Sequence, residues 1–155
     1  KVHYPIEYYC AYYTVRADDF DAATMAKGRE KCVKTLEEYN AIPKPSAKEK
    51  SIITILEICN EMYARGIEFL PIDLYKSHAS EFLIEDGKIR PPLNSIKGLG
   101  ITVAQSITEA RKSGEFFTKE DFMLRAHVGQ SLVDLLDAHG CFGDMPDSAQ
   151  ITFGI

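Results

Sequence analysis

The sequence predicts a mainly α fold with one small β hairpin, an α+β arrangement, and three observations carry that expectation. Apolar residues recur at three- and four-residue spacing through most of the chain, the period of helices that bury one face. The pair Asp86-Gly87 lies between the runs EFLIE and KIRPPL, which marks two strands joined by a tight connection. A glycine turn leading straight into a helical run occurs twice, at Gly98-Leu99-Gly100 and, in degenerate form, between Ala126 and Gln130.

Composition bounds the rest. At 155 residues and 45% apolar content the chain is long enough for one domain or for two small subdomains sharing a boundary. A net charge of -5 argues against a broad basic footprint for nucleic acid. From Lys97 to Ser131, however, five basic residues (Lys97, Arg111, Lys112, Lys119, Arg125) face four acids (Glu109, Glu115, Glu120, Asp121), so that stretch is near neutral. The four cysteines form no CxxC pair and complete no zinc spacing with the four histidines, which suits reduced thiols in a cytosolic protein. His139-Gly140-Cys141 is too sparse for a metal site. No apolar run reaches the roughly 18 residues of a membrane span, and no signal peptide opens the chain. The first residue is Lys, which fits a segment of something larger.

In chain order, Pro5 begins a helix through IEYYCAYYTVRA, with Ile6, Tyr9, Cys10 and Tyr13 on one face and Tyr8 and Tyr12 beside it. Aromatic and apolar residues nearly encircle it, so packing on several sides is expected, part of it from outside this chain. Core packing is the expected use of the tyrosines, with base stacking the alternative. Asp18, Asp19 and Asp21 are cap candidates for a second helix running to Asn40, weakened at Gly28. After the proline-bounded linker 41–45, Ser46 and Glu49 form a capping box for a helix Ala47 to Arg65, ended by Gly66. An extended piece, IEFLPIDL, leads to the strand pair, and Pro91-Pro92 close it. Beyond Arg111 a KSGEFF turn precedes a short helix capped by Thr118 and Asp121. A last helix follows in HVGQSLVDLLDAHG, with Leu132, Leu135 and Leu136 apolar, and DSAQITFGI reads as an exposed tail.

The run IKGLGITVAQSITEAR, residues 96–111, has the layout of a helix-hairpin-helix. Gly98 and Gly100 can take positive φ and let another backbone come close. The helix that opens behind them leaves its first N–H groups without partners, which suits a phosphate and reads no base sequence. Lys97 adds a point charge, and Thr102 is equally a cap or a phosphate ligand. Arg111 and Lys112, at the far end, are read as complements of the helix dipole.

The order of these features resembles the C-terminal part of a bacterial DNA polymerase III alpha subunit of the PolC type. HYPIEYYCAYYTVRADDFD looks like the end of that family's fingers region, and KEKSIITILEICNEMYARG resembles its long helix before a small β segment. DLYKSHASEFLIEDGKIRPPLNSIKGLG and EFFTKEDFMLRAHVGQSLVDLLDAHGCF are similar to its passage into a tandem hairpin pair. The resemblance implies a helical end of the fingers at 1–66, a β segment at 67–93, a tandem helix-hairpin-helix at 94–146 and a tail at 147–155. It implies contacts to primer-template duplex by Lys97, Gly98, Leu99, Gly100, Ile101, Thr102 and Val103, and by Gly129, Gln130 and Ser131 in the second copy. His127 there is expected to be a surface residue.

The resemblance further implies a bacterial, cytoplasmic, nucleoid-associated protein with no membrane partner. The parent nucleotidyltransferase holds two Mg²⁺ in a palm that is not in this sequence, so this segment itself is expected to carry no cofactor and to be non-catalytic. The family ends in a sliding-clamp peptide, to which Gln150, Ile151, Phe153 and Ile155 are similar, with Gly154 departing from the usual aromatic. Two other readings of the hairpins stay open: a protein-interaction module, or the DNA-holding part of a repair enzyme.

Overall fold

The computed structural model describes residues 5–148. Pro5 opens α1 (Pro5–Val15), where its fixed φ and missing N–H suit a first helical turn. Tyr9 and Tyr13 are fully buried, but Tyr8 is exposed and Val15 is 81% exposed, so one face is covered rather than several. The covering groups come from this chain. The Tyr13 ring centre lies 5.4 Å from Phe20, 5.3 Å from Phe69 and 5.5 Å from Phe82, in the tilted geometries that ring quadrupoles favour. Tyr9 O–H donates to Glu61 at 2.9 Å, and burial together with that carboxylate pushes the phenol up to about 12.

The helix expected from Asp18 to Asn40 is broken into a 3-10 turn at Ala17–Asp19, α2 (Ala22–Met25) and α3 (Arg29–Asn40). Gly28 makes the break: its φ of +98° leaves the helical path and it becomes the N-cap of α3. Asp21 caps α2 by accepting the Ala23 N–H at 3.1 Å. Asp19 is no cap. It pairs with Lys48 at 2.8 Å and accepts Ser51 O–H at 2.6 Å, which together hold its carboxyl below the usual range.

α4 (Ala47–Ala64) forms where its local signals put it. Ser46 accepts the Glu49 N–H at 3.1 Å while Glu49 accepts the Ser46 N–H at 2.8 Å, and Gly66 turns at φ +83° beyond the end. Its buried stripe of Ile52, Ile55, Leu56, Cys59 and Met62 packs against α3 and α1.

β1 (Leu83–Glu85) and β2 (Lys88–Arg90) pair antiparallel with Ile84 opposite Ile89, and Asp86 and Gly87 both take positive φ, as a primed two-residue turn requires. The extended piece before them adds a parallel bridge. Leu70 N–H donates to Ile89 O at 2.7 Å and Ile89 N–H to Glu68 O at 3.1 Å. Arg90, 7% exposed, donates to Pro71 O at 2.7 Å and forks onto Glu85. The chain therefore leaves the sheet from a fixed base.

A 3-10 turn at Leu93–Ser95 leads to α5 (Ile101–Ala110), α6 (Lys119–Ala126) and α7 (Gln130–Ala138). Arg125 locks the turn between α5 and α6. It donates to Ala110 O and Gly114 O at 2.9 Å, Ser113 Oγ at 2.8 Å and Glu115 O at 2.9 Å, with its guanidinium 4.4 Å from the Phe116 ring centre. Thr118 accepts the Asp121 N–H at 2.9 Å, whereas Asp121 accepts from Phe117 rather than from Thr118. The stretch read as a tail is tied down at its first residue, Asp147. Pro146 O and Asp147 O accept the N–H groups of Lys119 and Glu120 at 2.9 and 3.0 Å, so the backbone seals the start of α6 through Asp147. One apolar cluster runs from Tyr9 to Phe142. No helix among the described residues is long and apolar enough to cross a membrane.

Candidate nucleic-acid interface

The first hairpin is built from two buried anchors around an exposed turn. Ile96 and Leu99 are 1% and 2% exposed, and Leu99 N–H donates to Ile96 O at 3.1 Å to close the turn between them. Lys97 and Gly98 are thereby pushed outward, and Gly98 turns at φ +94°. Gly100 does not use that freedom: its φ of -77° and ψ of 170° are open to any residue, and it serves as the N-cap of α5. No side chain caps that end, and the first turn holds no acid. Among the described residues the N–H groups of Ile101, Thr102 and Val103 meet no acceptor, and the Thr102 hydroxyl has no partner. The capping role weighed for Thr102 therefore falls away. Lys97 has no carboxylate within ion-pair distance among the described residues.

The second hairpin repeats this geometry at a constant offset. His127 turns at φ +58° where the first copy has Gly98, Val128 stands for Leu99, and Gly129 is the N-cap of α7 at φ -96° and ψ 178°. Again there is no side-chain cap and no acid in the first turn. Gln130 and Ser131 thus stand where Ile101 and Thr102 do, and Val133 and Leu136 are buried like Ala104 and Ile107. Sequence reasoning took His127 for a plain surface residue. It is exposed, yet it holds the left-handed position. The readable signal was the matching distance from Gly100-Ile101-Thr102 to Gly129-Gln130-Ser131, since a glycine count misses a histidine in that place.

The other two end-of-helix residues serve elsewhere. Arg111 donates to Leu74 O at 3.1 Å and Ser77 O at 2.7 Å, tying α5 to the segment before the sheet, and Lys112 pairs with Glu109 at 2.9 Å. Both still stand at the C-terminal end of α5, where the dipole reading put them.

The surroundings of the two hairpins differ in charge. A groove of about 490 Å³ beside the first is lined by Ala17, Asp18, Phe20, Asn94, Lys97 and Gly98 among others. A groove of about 590 Å³ beside the second has Glu120, Asp134, Asp137 and Asp147 against Lys119, over a floor of Met123 and Val133. Lys119 is shared between Asp137 and Asp147, and the Gln130 amide donates to Asp134 at 2.9 Å. Among the described residues no group of three or more His, Cys, Asp or Glu side chains is placed to hold a metal ion. The clamp-like residues Gln150, Ile151, Phe153 and Ile155 lie outside the described residues.

Comparison with known proteins agrees with this geometry. A profile of the helix-hairpin-helix motif matches residues 66–150. Over 153 residues, 98% of the chain, the sequence is 50% identical to the DNA polymerase III PolC-type of Clostridium perfringens and 46% identical to those of Listeria monocytogenes and Bacillus subtilis. The chain spans 11% of the length of each of these relatives.

Proposed function

The chain belongs to the helix-hairpin-helix family, and from that premise we propose that it is the part of a PolC-type replicative DNA polymerase that grips primer-template duplex behind the active site. The observation that carries this reading is the bare start of α5: three N–H donors, a free Thr102 hydroxyl and the unpaired Lys97 around one exposed turn. Main-chain donors at the positive end of a helix dipole bind a phosphate whatever base it carries. Gly129, Gln130 and Ser131 make the second, weaker contact, because four carboxylates stand nearby and Gln130 is held by Asp134. Residues 1–66 are the helical end of the fingers, 67–93 the β segment that fixes the angle of the grip, and 94–146 the duplex-binding part. The stretch 147–155 serves in this reading as a sliding-clamp peptide, with Gln150, Ile151, Phe153 and Ile155 as its contacts. In this reading the Mg²⁺-dependent nucleotidyl transfer belongs to a palm elsewhere in the parent, and this segment alone adds no nucleotide.

A gel-shift titration with primed duplex at low salt tests the reading. Binding that Lys97→Ala weakens equally on every sequence is the expected result. A second reading, a docking module for a protein partner, is favoured by the acidic groove beside α6 and α7. Absence of any duplex shift at low salt favours that module over the grip. The DNA-holding part of a repair enzyme shares the hairpins, but similarity to PolC-type polymerases over 98% of the chain speaks for replication.

A further inference from the structure

We propose that Ser106 and Leu135 are paired positioning residues, each holding the hairpin turn that belongs to the other motif. Ser106 is the sixth residue of α5 and Leu135 the sixth of α7, so they occupy matching places in the two copies. Ser106 O–H donates to Ala126 O at 2.8 Å, the carbonyl just before the left-handed His127. Leu135 reaches the other way: a Cβ placed on Gly98, the left-handed residue of the first turn, would sit 3.2 Å from Leu135 Cδ2. Each turn therefore rests on the sixth residue of the opposite helix. A methyl group fills the place against a glycine, and a hydroxyl fills it against a carbonyl.

The physical need differs at the two turns. Gly98 has no side chain of its own to anchor it, and the first turn is closed by the single Leu99 N–H to Ile96 O bond. Leu135 supplies the lateral stop that sets where Lys97 and Gly98 point. Ala126 O belongs to the last residue of α6, an end carbonyl that helix geometry leaves short of partners. Ser106 satisfies it and so fixes the exit into His127. Both residues are half-buried, so neither is itself a phosphate ligand. The two turns form one body, in which loosening one loosens the spacing to the other. That the turns hold phosphate rests on the function proposed above, whereas the reciprocal support does not.

The test compares wild-type chain, Leu135→Ala, Leu135→Met and Ser106→Ala by amide hydrogen exchange and by duplex titration over a range of salt. Leu135→Ala should speed exchange at the Leu99 N–H by about tenfold beyond any change in the α4 amides, and Ser106→Ala should do so at the Val128 N–H. Leu135→Ala should also weaken duplex binding about fivefold and reduce the magnitude of the salt slope by about 1, with Leu135→Met restoring both. Equal acceleration of hairpin and α4 amides, with duplex affinity of the folded chain unchanged, would overturn the proposal. If the wild-type chain binds no duplex, the grip fails and the exchange pattern alone decides: local acceleration supports reciprocal support, uniform acceleration overturns it. Should Leu135→Ala not fold, Leu135→Val carries the same comparison.

Discussion

Gly98 and Gly100 stand two places apart and differ in what a side chain would cost. At Gly98 the backbone is left-handed and Leu135 lies 3.2 Å from where a Cβ would go, so Gly98→Ala should lower stability by about 1–3 kcal/mol and weaken duplex binding with it. At Gly100 φ is -77° and no atom lies within 4 Å of an added Cβ. Gly100→Ala should therefore leave stability within about 0.5 kcal/mol, yet weaken binding if a phosphate approaches the bare helix start. Thermal melting and a binding titration on the two variants separate the effects. A Gly100→Ala chain with unchanged affinity would argue against close backbone approach. The sequence could place this turn because glycines and the following helix period are local signals. The φ of each glycine was not legible there, and His127 in the left-handed place was legible only through the matching spacing of the two copies.

At the scale of elements, the legible parts were those whose signals sit within a few residues. The Ser46–Glu49 box and Gly66 bound α4 without help from the rest of the chain, and Ser46→Ala should cost about 1 kcal/mol in a denaturant titration. The break at Gly28 was harder to read. Gly28 announced only a weakening, and the Tyr63 O–H to Met25 O bond at 2.7 Å just before the break is a tertiary contact outside any local pattern. The β hairpin was legible from Asp86-Gly87, but its anchoring through Arg90 was not. Arg90 holds the Glu85 carboxyl below its ordinary value of 4.5. A depressed carboxyl contributes stability that is complete above the unfolded value and is lost as pH falls through the folded one. Acid titration should therefore show a loss below about pH 4.5 that is smaller in Glu85→Gln, already less stable at neutral pH. An acid limb identical in the two proteins would place the loss on other carboxyls.

For the whole molecule, the proposed function makes the net charge of -5 a cover for a grip that works through backbone rather than through massed basic side chains. The first turns of α5 and α7 carry no side-chain cap, which leaves N–H donors for the phosphate of the proposed function. Such a grip touches few phosphates, roughly two to four, and each contributes about 0.9 to the slope of log K against log salt. The most direct measurement is a fluorescence-anisotropy titration of the 155-residue chain on two primed duplexes of unrelated sequence, repeated over a range of salt. The account predicts equal affinity for the two and a slope of about -2 to -4, brought nearer zero by about 1 in Lys97→Ala. No binding at low salt, or a strong preference for one base sequence, would contradict it.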